Sequence, residues 1–193
     1  MNYIAFLSFT LLTAFTPGPN NILAMSNAGK HGLKKSQGLI RGIFAGFFSV
    51  MILCSFFSVV LVNIIPKIKP IMTYIGVAYI LWLAWHVIKS KPQEKVEGKE
   101  KVDNFITGFI LQFVNVKIIL YGITAISTFV TPYYNSFLSI GVFTILITIF
   151  GCTGVFTWAM FGAVFQKFFE RYNGIINTIM ALLLVYSAIT LVI

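Results

Sequence analysis

Apolar stretches of membrane-spanning length follow one another along the chain, parted by short polar or basic interruptions. Six stand out: about Tyr3–Met25, Gly38–Val62, Ile71–Ile88, Phe105–Val130, Phe137–Phe161 and Ile175–Ile193. About 20 apolar residues match a hydrocarbon core roughly 30 Å thick, so each stretch predicts a transmembrane helix. One segment departs from this pattern. "KSKPQEKVEGKEKVD", Lys89–Asp103, mixes both charge signs with Pro92 and Gly98, and reads as a solvated linker. The chain is thus a single transmembrane transporter domain in two parts: a first repeat over about 1–90, a linker over about 91–103, and a second repeat over about 104–193. Each repeat holds three spans, so the second enters the membrane from the opposite side. The predicted fold class is an all-α polytopic membrane protein built as two inverted three-helix repeats, as in many secondary transporters.

The opening stretches of the two halves are the least regular. Span one carries "FTPGPNNIL", Phe15–Leu23. Pro17 and Pro19 have no N–H, which frees the carbonyls of Thr13 and Phe15. Each proline also drives its predecessor, Thr16 or Gly18, out of the α region. The first helix should therefore break at Pro17–Pro19. In lipid, freed carbonyls cost several kcal/mol each unless protein or cavity water satisfies them, so the break should face inward. Asn20 or Asn21 can then cap a new half-helix through Ile22–Ala28. Its N-terminus offers unpaired N–H groups and the positive end of a dipole, suited to a carboxylate.

Span four carries "QFVNVK", Gln112–Lys117, at a matching depth. Paired irregularities in corresponding positions of two halves mark a transport site. Lys117 is costly near a bilayer centre unless it faces a cavity or a partner. All five acids, Glu94, Glu97, Glu100, Asp103 and Glu170, lie in or beside loops, so its partners must be carbonyls, amides, water or an anionic part of the substrate. Gln112 and Asn115 share a helix face; Asn115 and Lys117 do not, unless the helix unwinds there. The candidate substrate-binding set is Pro17, Gly18, Pro19, Asn20, Asn21, Gln112, Asn115 and Lys117.

Composition agrees with the pattern: of 193 residues, 58% are hydrophobic and only 10% charged. A net charge of +9 could suggest nucleic acid, but the cations flank the spans and form no basic stripe on a soluble domain. Loops one, three and five with their helix ends hold eleven of the 14 cations: Lys30, Lys34, Lys35, Arg41, Lys89, Lys91, Lys95, Lys99, Lys101, Lys167 and Arg171. The opposite side holds only Lys67 and Lys69. Positively charged loops stay cytoplasmic, which places both termini outside. The N-terminus lacks the basic n-region of a signal peptide. Cys54 and Cys152 lie in apolar segments, as small hydrophobes do, and no His/Cys cluster predicts a metal. Neither H-E-x-x-H nor G-x-S-x-G occurs, so no enzyme and no cofactor is expected.

The lack of intramembrane carboxylates also bounds the cargo. A cationic side chain would want one, and a dicarboxylate would want more than one cation. A small, neutral, zwitterionic molecule fits better. A proton, if coupled, must ride on Lys117, a histidine or the substrate; His31 and His86 read as interfacial. Gly38, Gly42 and Gly46 line one face of span two, and Gly151 and Gly154 mark span five. Such faces let helices approach closely, inside one chain or between the two chains of a homodimer. Tyr79, Trp82, Trp85, Tyr133 and Tyr134 suit the membrane interface. Trp158 and Phe161 read as packing.

"TPGPNN" (Thr16–Asn21), the basic loop "GKHGLKKSQG" and "LQFVNVKIILYGITAISTFV" (Leu111–Val130) resemble the LysE/RhtB superfamily of amino-acid exporters, over essentially the whole chain. The similarity is greatest to its cysteine/O-acetylserine exporters of bacterial inner membranes. The resemblance implies six helices, export from the cytoplasm and coupling to the proton gradient. It also implies that Pro17, Gly18, Pro19, Asn20, Asn115 and Lys117 occupy motif positions. Exporters of homoserine or threonine are the neighbouring alternative, and a passive small-solute channel the more distant one. Many members have proline between the Asn and the Lys. Val116 stands there in this chain, so proline chemistry does not force a break in span four.

Overall fold

The computed structural model describes residues 1–89 and 104–192. The expected linker, 91–103, and its cations lie outside the described residues. The described residues are helical, without strands: α1 (Tyr3–Phe15), α2 (Pro19–Phe56), α3 (Ser58–Lys89), α4 (Phe105–Val114), α5 (Val116–Thr124), α6 (Phe137–Val164), α7 (Gln166–Arg171) and α8 (Asn173–Val192). A π-helical segment, Ala125–Val130, extends α5.

Two of these helices, α2 and α6, are long and apolar enough to cross a membrane by themselves, and α4 with α5 and its extension are so only when taken together, across a 62° bend. Tyr3–Phe15, Thr73–Lys89 and Gly174–Ile189 are shorter apolar helices. The outward faces of α2 and α6 are apolar: Phe56 is 75% and Phe137 90% exposed. Buried or not, hydroxyls fold back on their own helix. Thr144, Thr148, Thr153 and Thr157 each donate to the carbonyl four residues earlier at 2.8 Å. This satisfies polar groups where lipid offers no partner.

Two boundaries differ from the sequence reading. The loop between spans one and two shrinks to Gly32, which has φ 77° and ψ 160° while helix continues on both sides. That conformation lies in the region glycine tolerates and other residues resist. The loop expected at 63–70 is helical; the chain instead leaves the helix at Phe57 (φ −97°, ψ 14°). In an apolar setting, a proline removing one hydrogen bond costs less than a fully unwound segment.

The small-residue faces serve contacts within the chain. A Cβ on Gly42 would fall 2.0 Å from the Phe105 carbonyl oxygen, and one on Gly108 would fall 2.4 Å from that of Leu39. Helices α2 and α4 therefore cross backbone to backbone. Gly154 packs in the same way on the Ala14 carbonyl of α1, at 2.5 Å, and Gly151 receives the Phe47 ring. These crossings hold the ends of α1 and α4 beside each other. On one end of the bundle, Phe6 packs edge-on against Phe129 and Phe143, and Tyr3 and Tyr134 share a 2.5 Å hydroxyl hydrogen bond.

Candidate functional site

Two helix breaks meet in the interior. The first follows α1. Thr16 is extended (φ −62°, ψ 138°), and α2 restarts with Gly18 as N-cap and Pro19 as its first residue. Proline suits that position because it lacks the N–H that would be orphaned there and its φ is preset for helix. This corrects the expected cap. Asn20 and Asn21 lie inside the first turn, and the Gly18 carbonyl accepts the first helical bond, from Ile22 N–H at 2.9 Å. The second break falls at Asn115 (φ −81°, ψ 94°), where α4 and the following span bend by 62°. Val116 does not preserve the helix: span four is broken as span one is.

The carbonyls of Phe15, Thr16 and Pro17 at the first break each find a side-chain donor. The Phe15 oxygen accepts from the Trp158 indole N–H at 3.1 Å. The Thr16 oxygen accepts from Lys117 Nζ at 2.8 Å and Asn21 Nδ2 at 2.9 Å. The Pro17 oxygen accepts from Ser187 Oγ at 2.7 Å and Lys117 Nζ at 3.3 Å. Asn21 Nδ2 also reaches the Ala14 oxygen at 2.9 Å. Side chains from α2, α5, α6 and α8 thus converge on three consecutive peptide units.

The amides form a second network. Asn20 Nδ2 donates to Gln112 Oε1 at 2.6 Å, and Asn20 Oδ1 accepts from Gln112 Nε2 at 3.1 Å and Asn115 Nδ2 at 3.0 Å. Gln112 Nε2 is also anchored to the Gly108 oxygen at 2.9 Å. All three side chains are buried. Asn20 of the first break therefore meets both amides of the second, as a buried polar cluster should.

Lys117 lies so close to Gly18 that a Cβ there would be 3.0 Å from both Cδ and Nζ. Gly18, Pro19, Asn20, Asn21, Asn115 and Lys117 line one central cavity, with Tyr121 and Phe47. Its volume is about 20 Å³, room for about one water molecule. Two half-helix N-termini, those of α2 and α5, open toward this cavity beside the ammonium of Lys117. Among the described residues lining it there is no carboxylate. The surroundings favour negative charge.

Seven of the eight residues singled out from sequence thus line the cavity or carry its amide network. Pro17 contributes its carbonyl to Lys117 and Ser187. Sequence reasoning missed Trp158 and Ser187 as supports of the break: both lie in ordinary apolar spans, and only their hydrogen-bonding atoms hinted at a polar partner.

A larger cavity of about 590 Å³ lies next to this one, bounded by α2, α3 and α4. His31, His86, Tyr79 and Trp82, which read as interfacial in the sequence, line it.

Residues 11–193 match the family model described as LysE type translocator. The chain is 44% identical over 189 residues to the cysteine/O-acetylserine efflux protein of Klebsiella pneumoniae, covering 98% of this chain and 96% of that one. It is 46% identical over 185 residues to the cysteine/O-acetylserine efflux protein of Salmonella typhimurium (96% and 94% covered). It is 44% identical over 186 residues to that of Escherichia coli strain K12 (96% and 94% covered). No solved structure matches the chain.

Proposed function

This chain belongs to the LysE-type translocator family, and from that premise we propose that it is a secondary transporter exporting small neutral amino acids, cysteine and O-acetylserine foremost, across a bacterial inner membrane. In this reading it has six spans in two inverted repeats, and an antiport of protons drives export. Both termini lie outside, with the basic loops one, three and five in the cytoplasm. Support for the repeat comes from the paired breaks and from matching glycine crossings, Gly154 on α1 and Gly42 on α4.

The observation that carries the reading is the placement of Lys117 Nζ on the Thr16 and Pro17 carbonyls. Those carbonyls already hold one ammonium, so they can hold another. An entering amino acid presents its α-ammonium to them and its carboxylate to Lys117 and the half-helix N–H groups. Lys117 then moves from carbonyls to carboxylate, and no buried charge is left unpaired. A zwitterion satisfies both halves of this exchange. A lysine-like substrate would bring a second cation, for which the lining has no carboxylate. With only about 20 Å³ free, the cavity as it stands is too small for an amino acid. Loading therefore requires the Asn20–Gln112–Asn115 cluster to part, and the two repeats then rock to release cargo on the far side.

The test is efflux from cells, and from proteoliposomes under an imposed pH gradient, with a panel of cysteine, O-acetylserine, threonine and lysine. Saturable export of the first two, dependent on the gradient and lost in Lys117→Ala at normal membrane abundance, is expected. Lysine as the best substrate, or flux without saturation, would refute the reading.

A further inference from the structure

The cavity at the helix breaks, about 20 Å³, has room for about one water and not for an amino acid. Small-molecule sites commonly enclose about 300–1,000 Å³, and the cavity between α2, α3 and α4, at about 590 Å³, falls in that range. Its wall has a definite chemistry. Lys30 and His31 come from α2, immediately before the Gly32 turn. His86 and Trp82 come from α3, their rings 4.3 Å apart, and Thr107 comes from α4. An ammonium, two imidazoles and a hydroxyl thus border it beside an aromatic face, and no Asp or Glu is among its described lining residues. That is a lining for a carboxylate attached to a small, partly apolar body.

Its position is equally informative. Leu111 and Val114 of α4 line it, whereas Asn115 lines the central cavity. On α2, Leu23 and Ser26 line it, whereas Asn20 and Asn21 line the central cavity. Asn20 and Asn115, which both bond within the amide cluster, thus line the central cavity, while Leu23 and Val114, close by on the same chain segments, line the larger one. The larger space has room for a small molecule and the smaller for about one water.

We propose that this vestibule is a second binding site, which captures the carboxylate of the amino acid before it reaches the helix breaks. The proposal rests on the exporter reading above for the identity of its ligand. Lys30 and His86 hold the carboxylate, and the Trp82 face holds the side chain. The amide cluster is the inner door, and passage through it is a separate step from capture. Capture therefore survives loss of Lys117, whereas transport does not.

The experiment is thiol protection in inverted membrane vesicles, using Thr107→Cys in a Cys54→Ala/Cys152→Ala chain and a membrane-impermeant maleimide. O-acetylserine is the probe, because it has no thiol to consume the reagent. Efflux is measured alongside. The expected result is slower labelling with O-acetylserine, in Lys117→Ala as well as with Lys117 intact, and none with its methyl ester. Lys30→Gln and His86→Gln, each on the cavity wall, should each shift half-protection to about tenfold higher concentration, as loss of one hydrogen bond to a charged group predicts. The proposal is overturned if vesicles that export O-acetylserine show no protection. It is likewise overturned if protection disappears with Lys117→Ala, or if the methyl ester protects equally well. Absence of any efflux with protection intact would instead sink the exporter reading and leave the vestibule site standing.

Discussion

Gly108→Ala should disable the central site from a distance, through the helix crossing that aligns it. A Cβ at this position would lie 2.4 Å from the Leu39 carbonyl oxygen and 2.8 Å from Ile43 N, both backbone atoms that cannot rotate away. Ordinary contact begins near 3.4 Å, so α4 must retreat from α2 by ~1 Å. Overpacking of this kind costs about 1–3 kcal/mol. The retreat also acts one turn along, where Gln112 meets Asn20. A 2.6 Å bond lengthened by that amount is no longer a hydrogen bond. Each buried amide group stranded this way costs a further ~1–3 kcal/mol. Gly141→Ala is the control, since nothing lies within 4 Å of the added carbon. The measurements are thermal stability of purified protein and initial rates of efflux. Gly108→Ala should melt several degrees lower and lose most of its export, while Gly141→Ala should match the parent chain. A Gly108→Ala protein with unchanged melting and unchanged efflux would show that the α2–α4 crossing does not set the site.

Two further substitutions test the turns and supports around the breaks. Gly32→Ala places a side chain at φ 77° and ψ 160° and should destabilise by about 1–3 kcal/mol, read as a lower melting temperature with substrate specificity unchanged. Trp158→Phe removes the indole donor from the Phe15 carbonyl; a loss of ~0.5–1.5 kcal/mol and reduced efflux are expected, with wild-type stability and rate refuting its role as a support.

The strong features of the fold were legible because they follow from backbone chemistry. Pro17 and Pro19 remove two helical hydrogen bonds and drive Thr16 and Gly18 out of the α region, so the first break was expected from sequence. The second was not. Asn115 and Val116 both tolerate a helix, and the 62° bend there arises from tertiary context: Asn115 turns its amide toward Asn20, and Lys117 reaches back to the first break. The capping residue was misassigned for a related reason. Asparagine is the better cap by propensity, but Pro19 at the first helical position moves that role to Gly18, and both asparagines are then drawn into longer-range bonds. Gly42 and Gly46 signalled a close crossing, though not its partner; that needed Gly108 from the other half of the chain. The vestibule was least visible, since it depends on where three separate elements leave space rather than on any one motif.

The lysine exchange at the breaks makes a last, sharper prediction. In the closed state Lys117 spends its charge on two carbonyls, at 2.8 and 3.3 Å. Hydrogen bonds to charged groups are worth about 1.5–3 kcal/mol each, so drawing the ammonium away is costly unless something replaces it. A free amino acid replaces it with its own α-ammonium, and its carboxylate gives Lys117 a new partner. An N-acetylated amino acid supplies the carboxylate but no cation, and leaves the Thr16 carbonyl with Asn21 alone. An amino-acid methyl ester supplies the cation but no partner for Lys117, which then remains charged and unpaired in a buried site. N-acetylcysteine should therefore be exported at least tenfold more slowly than cysteine, and cysteine methyl ester should fare no better, in efflux from proteoliposomes. Lys117→Met should lose export of cysteine and of its methyl ester alike, because no ammonium is left to exchange. Equal export of cysteine and N-acetylcysteine by the unmodified protein would rule out the exchange.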